Sequence, residues 1–523
     1  MILAIAISSG MMSCSTNAVE DEPTPVNPES ETRTLNIRVV SNNFTRADGD
    51  VTDETIQTLY LAFYKGEDTT PLYIKEATMG QDNNYSVEIP ANMAKMLDKV
   101  IAFANITDKD IISGALTGST VEKVQNDDRS LVMSSAVYFE NNNNSDNKPI
   151  YYSLIPANKT ADNATIYIYL DRVASKIAVT NDKFSFTKPK VENCNNISMD
   201  IIGWGVNFTD NKSYVMKNLP ERYITITLGS LESQLELLTN DVYAQSDWNN
   251  YNNRTISWAN TLNFNKFSGV DLNIIKLANA NNSFGSSIYA HETTRSTSDL
   301  EKKNSKPSIV IVGQYKNGDN ALGTFYRLRY NGSDYIYTAE EYFDYLNKEV
   351  DFLYVEENNN IKKASAEDLN KLLTLSTPSE NIAGSVIPDF YVTPQVKVLE
   401  DNGNQTIVLC KKSGDPYSID ELNKLLYAHA GLLEMYYNGQ CIFIEPIKHY
   451  HNYGEDIVYG IIRNHSYTLN INNITGFGRG VASNESLISE EDIPEISSSY
   501  KVNTTVYVND WNEQSPQDID IER

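Results

Sequence analysis

The sequence predicts a mainly β protein of two domains with a few short helices. Three observations carry that reading: short alternating apolar runs along the chain, a surplus of tyrosine, and asparagine clusters between the runs. At 523 residues the chain is too long for one hydrophobic core, and with 41% hydrophobic residues it has material for two. Its 33 tyrosines against 4 tryptophans suggest half-buried sheets whose hydroxyls reach water. Runs such as Asn141 to Asn144 and Asn358 to Asn360 cannot build a core and tolerate turn geometry, so they read as loops.

The front of the chain reads as a targeting segment rather than as fold. Residues 2 to 7 form an apolar run too short to span a bilayer but suited to a secretory signal, although the basic leader that normally precedes one is missing, which leaves the true start open. Small and apolar residues end at Ser13, directly before Cys14, in the pattern of a bacterial lipobox. The expected chemistry is diacylglyceryl transfer to the Cys14 thiol, cleavage before it and acylation of the new amino terminus. Several acyl chains on one residue hold a protein stably to a membrane, where a single chain is marginal. Residues 14–33 are polar and acidic, with Glu20, Asp21 and Glu22 together, and read as a tether. No other stretch is apolar enough for a transmembrane helix.

Strands begin at residue 34. Leu35, Ile37 and Val39 alternate on one face, and similar runs follow at 58–64, 85–89, 100–104, 164–170, 175–179, 199–208 and 213–217. Short strands with turn-rich connections argue for a β-sandwich rather than a parallel α/β sheet. The first domain is placed at 34–220 and the second at 221–523. The second carries strands at 308–313, 324–330, 406–410, 440–444 and 467–471. Three helix starts are interleaved, at Thr338 with Glu341, Ser365 with Asp368, and Ser418 with Glu421, the last running towards Gly431.

The formal net charge of −26 is the opposite of a nucleic-acid footprint. Beyond Cys14, the cysteines Cys194, Cys410 and Cys441 are far apart and odd in number, which suits packing thiols better than disulfides. His449 and His451 sit two apart but lack a further ligand at useful spacing, so no metal site is assigned. Gly476-Phe-Gly478-Arg-Gly480 resembles a phosphate loop only superficially, since no helix-forming stretch follows it. No motif of nucleophilic or zinc chemistry is present; no cofactor and no enzymatic activity are expected.

Several stretches resemble the Bacteroidales fimbrillins, subunits of type V pili, especially the major subunit of the short Mfa-type fimbriae. They are residues 46–59, 171–177, 202–208, 437–449, 459–469 and the ending 505–511, spread over nearly the whole mature chain. The resemblance implies two tandem transthyretin-like β-sandwich domains. It implies a lipoprotein precursor at the outer membrane, an arginine-specific protease that removes the first strand, and a groove filled by the C-terminal strand of another copy. Mapped here, cleavage after Arg46 removes 34–46 and leaves Ala47 as the mature start, while 501–521 donate. Arg33 and Arg38 are rivals, but a cut at either would keep or split the strand. In the donor segment Val502, Thr504, Val506 and Val508 alternate, and Ile519 and Ile521 form a second apolar pair. The partners implied are other copies in a head-to-tail filament, anchor and tip subunits, the protease, and membrane lipid. An alternative is a tip or accessory adhesin, or a glycan-binding surface lipoprotein whose tyrosines meet the ligand.

Overall fold

The computed structural model describes residues 32–40, 55–136 except 82 and 83, 138–139, 149–155, 165–217 except 183, 272–273, 275–294, 306–397, 407–451, 457–461, 463–488 and 501–510. Among them the chain is mainly β, as its alternating runs predict, and the strands gather around distinct cores.

The first core is enclosed by a sheet of β1 (Thr32–Val40), β2 (Leu59–Tyr64), β3 (Tyr73–Glu76), β4 (Thr78–Met79), β5 (Asn84–Pro90), β6 (Lys99–Ala104), β7 (Met133–Ser135) and β8 (Thr165–Arg172). Their order across the sheet is β3-β2-β6-β7-β8-β1-β5-β4. β8 changes partner along its length: residues 165–169 pair with β1 and residues 170–172 with β7. That switch lets the two halves of the sheet share one core, in which Ile37 and Val39 of β1 join Leu61, Phe63, Val87, Ile101 and Ile168. The pattern in β5, where Tyr85, Val87 and Ile89 are buried, is the two-residue period of a strand with one face on a core.

The second core lies between two sheets. One has the order β10-β15-β9-β12, from β9 (Ala174–Thr180), β10 (Ser185–Thr187), β12 (Ser287–His291) and β15 (His465–Thr475), with β17 (Lys501–Asp510) also on β15. The other has the order β11-β13-β14-β16, from β11 (Ile197–Asn207), β13 (Ser308–Asn317), β14 (Gln440–Pro446) and β16 (Arg479–Gly480). Ile177, Leu469 and Ile471 of the first sheet meet Trp204, Ile311 and Phe443 of the second. β13 is apolar on both faces because Val310 and Val312 belong to a further small cluster with Phe208, Ile275 and Ile488.

Residues 325–436 form a lobe with a core of its own, inserted between β13 and β14. Three helices pack into it: α1 (Ala339–Glu349), α2 (Ala366–Leu372) and α3 (Ile419–Ala430). Their starts are the three read from sequence. Thr338 and Ser365 close full capping boxes with Glu341 and Asp368, and the Ser418 hydroxyl accepts from the Glu421 backbone N–H at 3.2 Å. Helix α3 ends at Gly431, at φ +66°. Asn358 and Asn359, both at positive φ, make the turn between strands 354–357 and 360–363.

The glycine-rich run at 476–480 fastens the lobe to the sandwich. The Arg327 guanidinium lies over the Phe477 ring at 4.3 Å, with its Nε on Asp334 at 2.8 Å and an Nη on Glu434 at 3.1 Å. The other oxygen of Glu434 accepts from the Gly480 backbone N–H at 2.8 Å, and Tyr436 donates to the Gly478 carbonyl at 3.0 Å. A Cβ on Gly480 would run into the Met435 carbonyl oxygen, so these glycines serve close backbone approach.

Many described tyrosines, such as Tyr60, Tyr289 and Tyr337, are half-buried as expected, but some are not. Tyr64 and Tyr85 are buried, and among the described residues their hydroxyls have no hydrogen-bond partner. Burial pushes the Tyr64 phenol well above its usual range. Burying an aromatic ring is worth more than the roughly 1–3 kcal/mol cost of an unpaired polar group. Tyr64→Phe is therefore expected to leave stability unchanged or to raise it by ~1 kcal/mol, read by urea denaturation; a loss would mean that the hydroxyl has a partner.

Candidate strand-exchange site

The strand nearest the front of the described chain is an interior one. β1 runs parallel to β8, with Ile37 opposite Ile166 and Val39 opposite Ile168. On its other side it runs antiparallel to β5, with Leu35 opposite Val87 and Ile37 opposite Tyr85. Ile37 and Val39 are buried, whereas Thr34 and Arg38 are exposed. Those two apolar side chains contribute roughly 3–6 kcal/mol of burial. Taking β1 away would open a slot between β5 and β8, with unpaired backbone groups on both walls and an apolar floor.

The chain leaves β1 at Val40 and is described again from Thr55, so Arg46 and Ala47 lie outside the described residues, as does Cys14. Re-entry is anchored by Asn105, which has a left-handed backbone (φ +61°). Its side chain donates to the Thr55 carbonyl at 2.9 Å and accepts from the Gln57 N–H at 2.7 Å. This anchor is independent of β1. Among so many asparagines, nothing in the sequence marks it.

At the other end, β17 lies on the second core. It pairs antiparallel with β15, placing Val502 opposite Ile474, Thr504 opposite Ile471, Val506 opposite Leu469 and Val508 opposite Tyr467. All four partners are fully buried. The structure thus seats the expected donor strand on its own chain, at the flank of β15 away from β9. Ile519 and Ile521 lie outside the described residues. The structure does not bring β1 and the expected donor strand together: β1 belongs to one core and β17 pairs in a sheet of the other.

Buried polar groups mark the boundary between these cores. Arg463 and Glu292, each 1% exposed, form an ion pair at 2.9 Å. Beside them, His291 has its Nδ1 2.9 Å from the Ser213 hydroxyl and its Nε2 3.1 Å from the Glu122 carbonyl. Burial pulls the His291 imidazole down from 6.5 to about 4, with the Glu122 carbonyl opposing and Arg463 assisting. The described cysteines are free thiols, and Cys410 and Cys441 are buried, with burial raising both. Among the described residues no group of three metal-ligating side chains gathers, and no helix is long and apolar enough to cross a membrane.

Residues 434–517, which contain β14 to β17, match the family model described as "Major fimbrial subunit protein type IV, Fimbrillin, C-terminal". This stretch is similar to a fimbrillin C-terminal region. No curated protein matches it significantly in sequence. Solved structures that align with it include a putative cell adhesion protein from Parabacteroides distasonis, with 12% identity, coverage of 92% of this chain and 98% of that one, and a TM-score of 0.36. A fimbrilin (fimA) from Porphyromonas gingivalis aligns with 12% identity, coverage of 91% and 96%, and a TM-score of 0.35. The tip fimbrial protein Mfa3 from the same organism aligns with 8% identity, coverage of 92% and 100%, and a TM-score of 0.31. The matched region itself spans both the strand β15 and the strand β17 paired with it.

Two outcomes follow from this geometry. Ile37→Ala should cost the chain ~2–4 kcal/mol in chemical denaturation, because its side chain is buried in the first core. The unfolded chain takes up a proton on His291 near 6.5, whereas the folded chain resists until about 4. Stability should therefore fall as pH drops between those values, and His291→Gln should flatten that slope in urea titrations.

Proposed function

We propose that this chain is a structural subunit of a surface fimbrium that assembles by exchanging strands between copies. The observation that carries the reading is the position of β1, an interior strand flanked by β5 and β8 and lying close to the front of the chain. An edge strand can be lost with little consequence, but loss of an interior strand leaves two unpaired walls that must be refilled. The fimbrillin match at 434–517 supports the same reading from the other end.

In the assembly pathway, the precursor is exported with lipid on Cys14, held by the tether, and cut after Arg46 by an arginine-specific protease. The new chain begins at Ala47. β17 of a second copy then leaves its own β15 and enters the slot, restoring hydrogen bonds on both walls while alternate side chains fill the floor. Three or four Val or Ile side chains contribute roughly 5–10 kcal/mol before ordering costs. Slot and strand belong to different cores, so the contact is head-to-tail and does not close on itself; it makes a filament. Until the cut, β1 occupies the slot with the advantage of being on the same chain, which keeps the precursor monomeric. Anchor and tip subunits would terminate the filament by lacking one half of the exchange, and the fimbrium would serve adhesion or biofilm formation.

The test uses precursor beginning at Ser15, treated with an arginine-specific protease, beside Arg46→Ala and a chain ending at Ser499. Wild type alone should give ladders on denaturing gels and filaments in the electron microscope. Filaments from the chain ending at Ser499, or wild-type filaments without loss of β1, would sink the reading.

A further inference from the structure

The polar seam between the cores has no part in strand exchange itself, yet it is built at considerable cost in desolvation. The chain crosses from the first core to the second at Val173, between β8 and β9. Domains joined by a short crossing and a modest interface move relative to one another by default. Here the crossing is fixed from several sides. Asn464, at φ +63°, donates its backbone N–H to the Ala174 carbonyl at 2.8 Å. Its side-chain oxygen accepts from Arg172 at 3.2 Å, and its side-chain nitrogen donates to Asp171 at 3.3 Å. The other Asp171 oxygen pairs with Lys217 at 3.3 Å, both side chains being 6% exposed.

The neighbouring residue completes the seam. Arg463 is paired with Glu292 of the second core, and it donates to the Tyr214 carbonyl at 2.8 Å and towards the Val215 carbonyl at 3.4 Å. Val215 is packed in the first core, and its carbonyl also accepts from Ser134 of β7 at 2.7 Å. Hydrogen bonds of this kind are directional, and in a dry environment a misplaced charge has no water to fall back on. Apolar contacts alone would let the two cores slide; these groups fit at one angle.

We propose that Arg463 and Asn464 are positioning residues of a fixed joint, which makes the two sandwiches one rigid unit. They sit immediately before β15, the strand that carries β17, and they hold the end of β8, the strand that walls the slot. The joint therefore fixes the angle between the place where one copy enters and the strand that leaves towards the next. Every copy then adds with the same step. This last consequence rests on strand exchange; the joint itself does not.

The test separates the two. Spin labels are placed on exposed positions of the two cores by Met79→Cys and Lys188→Cys, with Cys194 replaced by serine, in the uncut chain beginning at Ser15, and the distance between them is measured by pulsed electron resonance. The wild-type background should give one narrow distance. Asn464→Ala should broaden it. So should the paired change Glu292→Leu with Arg463→Met, which removes both charges together and so leaves no buried ion unpaired. Near-UV circular dichroism selects folded variants. A folded variant of either kind with the wild-type distribution, or a broad distribution in wild type, would overturn the joint. With protease, folded variants should still yield ladders but form curled filaments of shorter persistence length. Straight variant filaments overturn the joint, while a wild type that never polymerises counts against strand exchange and leaves the monomer distances to decide the joint.

Discussion

A strand inside a sheet must be hydrogen-bonded on both sides, and this requirement governs the molecule. β1 meets it with β8 on one side and β5 on the other, and its buried Ile37 and Val39 seal one half of the first core. β8 is the pivot of that arrangement, because it passes from β1 to β7 within its own length and so folds the sheet over. Whatever occupies the place of β1 therefore holds the two halves together. Asn105 keeps the chain at Thr55 and Gln57 in place by bonds that never involve β1.

The second core is tied to the first by polar groups as well as by apolar contacts such as those of Ala174 and Tyr289 with the first core. Buried ion pairs contribute little net stability compared with well-packed apolar groups, but they penalise alternative geometries heavily. The same trade recurs at Arg327, where two carboxylates and the Phe477 ring hold the inserted lobe. Large surfaces are packed by aliphatic and aromatic side chains, and orientation is set at a few points by arginine. Arginine suits this because its planar fork can address several acceptors at once.

Much of the fold was legible in the sequence because local patterns and tertiary structure agree. The alternation in β5 and β15, the all-apolar run of β13, the caps at Thr338, Ser365 and Ser418, and the turn at Asn358 and Asn359 each carry their own signal. What stayed hidden depends on distant partners. The lobe at 325–436 has the same strand and helix patterns as its surroundings, and only the pairing of β13 with β14 reveals it as an insertion. The run at 476–480 showed its glycines but not the carbonyls they approach. Asn105 and Asn464 are ordinary letters in an asparagine-rich chain until their partners, dozens to hundreds of residues away, are known. Of the candidate exchange site, the alternation of β1 and β17 could be read, while the interior position of β1 and the docking of β17 on its own β15 could not.

The lobe has a consequence for how such a chain can change over generations. It departs after β13 and returns before β14, and those two strands are bonded to each other from Ser308 with Pro446 to Gln314 with Gln440. The cost of closing a connection between neighbouring strands grows only slowly with its length. Since the lobe also has a core of its own, it is a cassette whose outer surface can drift, lengthen or be replaced with little disturbance to the sandwich into which it is inserted. The lobe is thus the most replaceable part of the chain, and neither β1 nor β17 belongs to it.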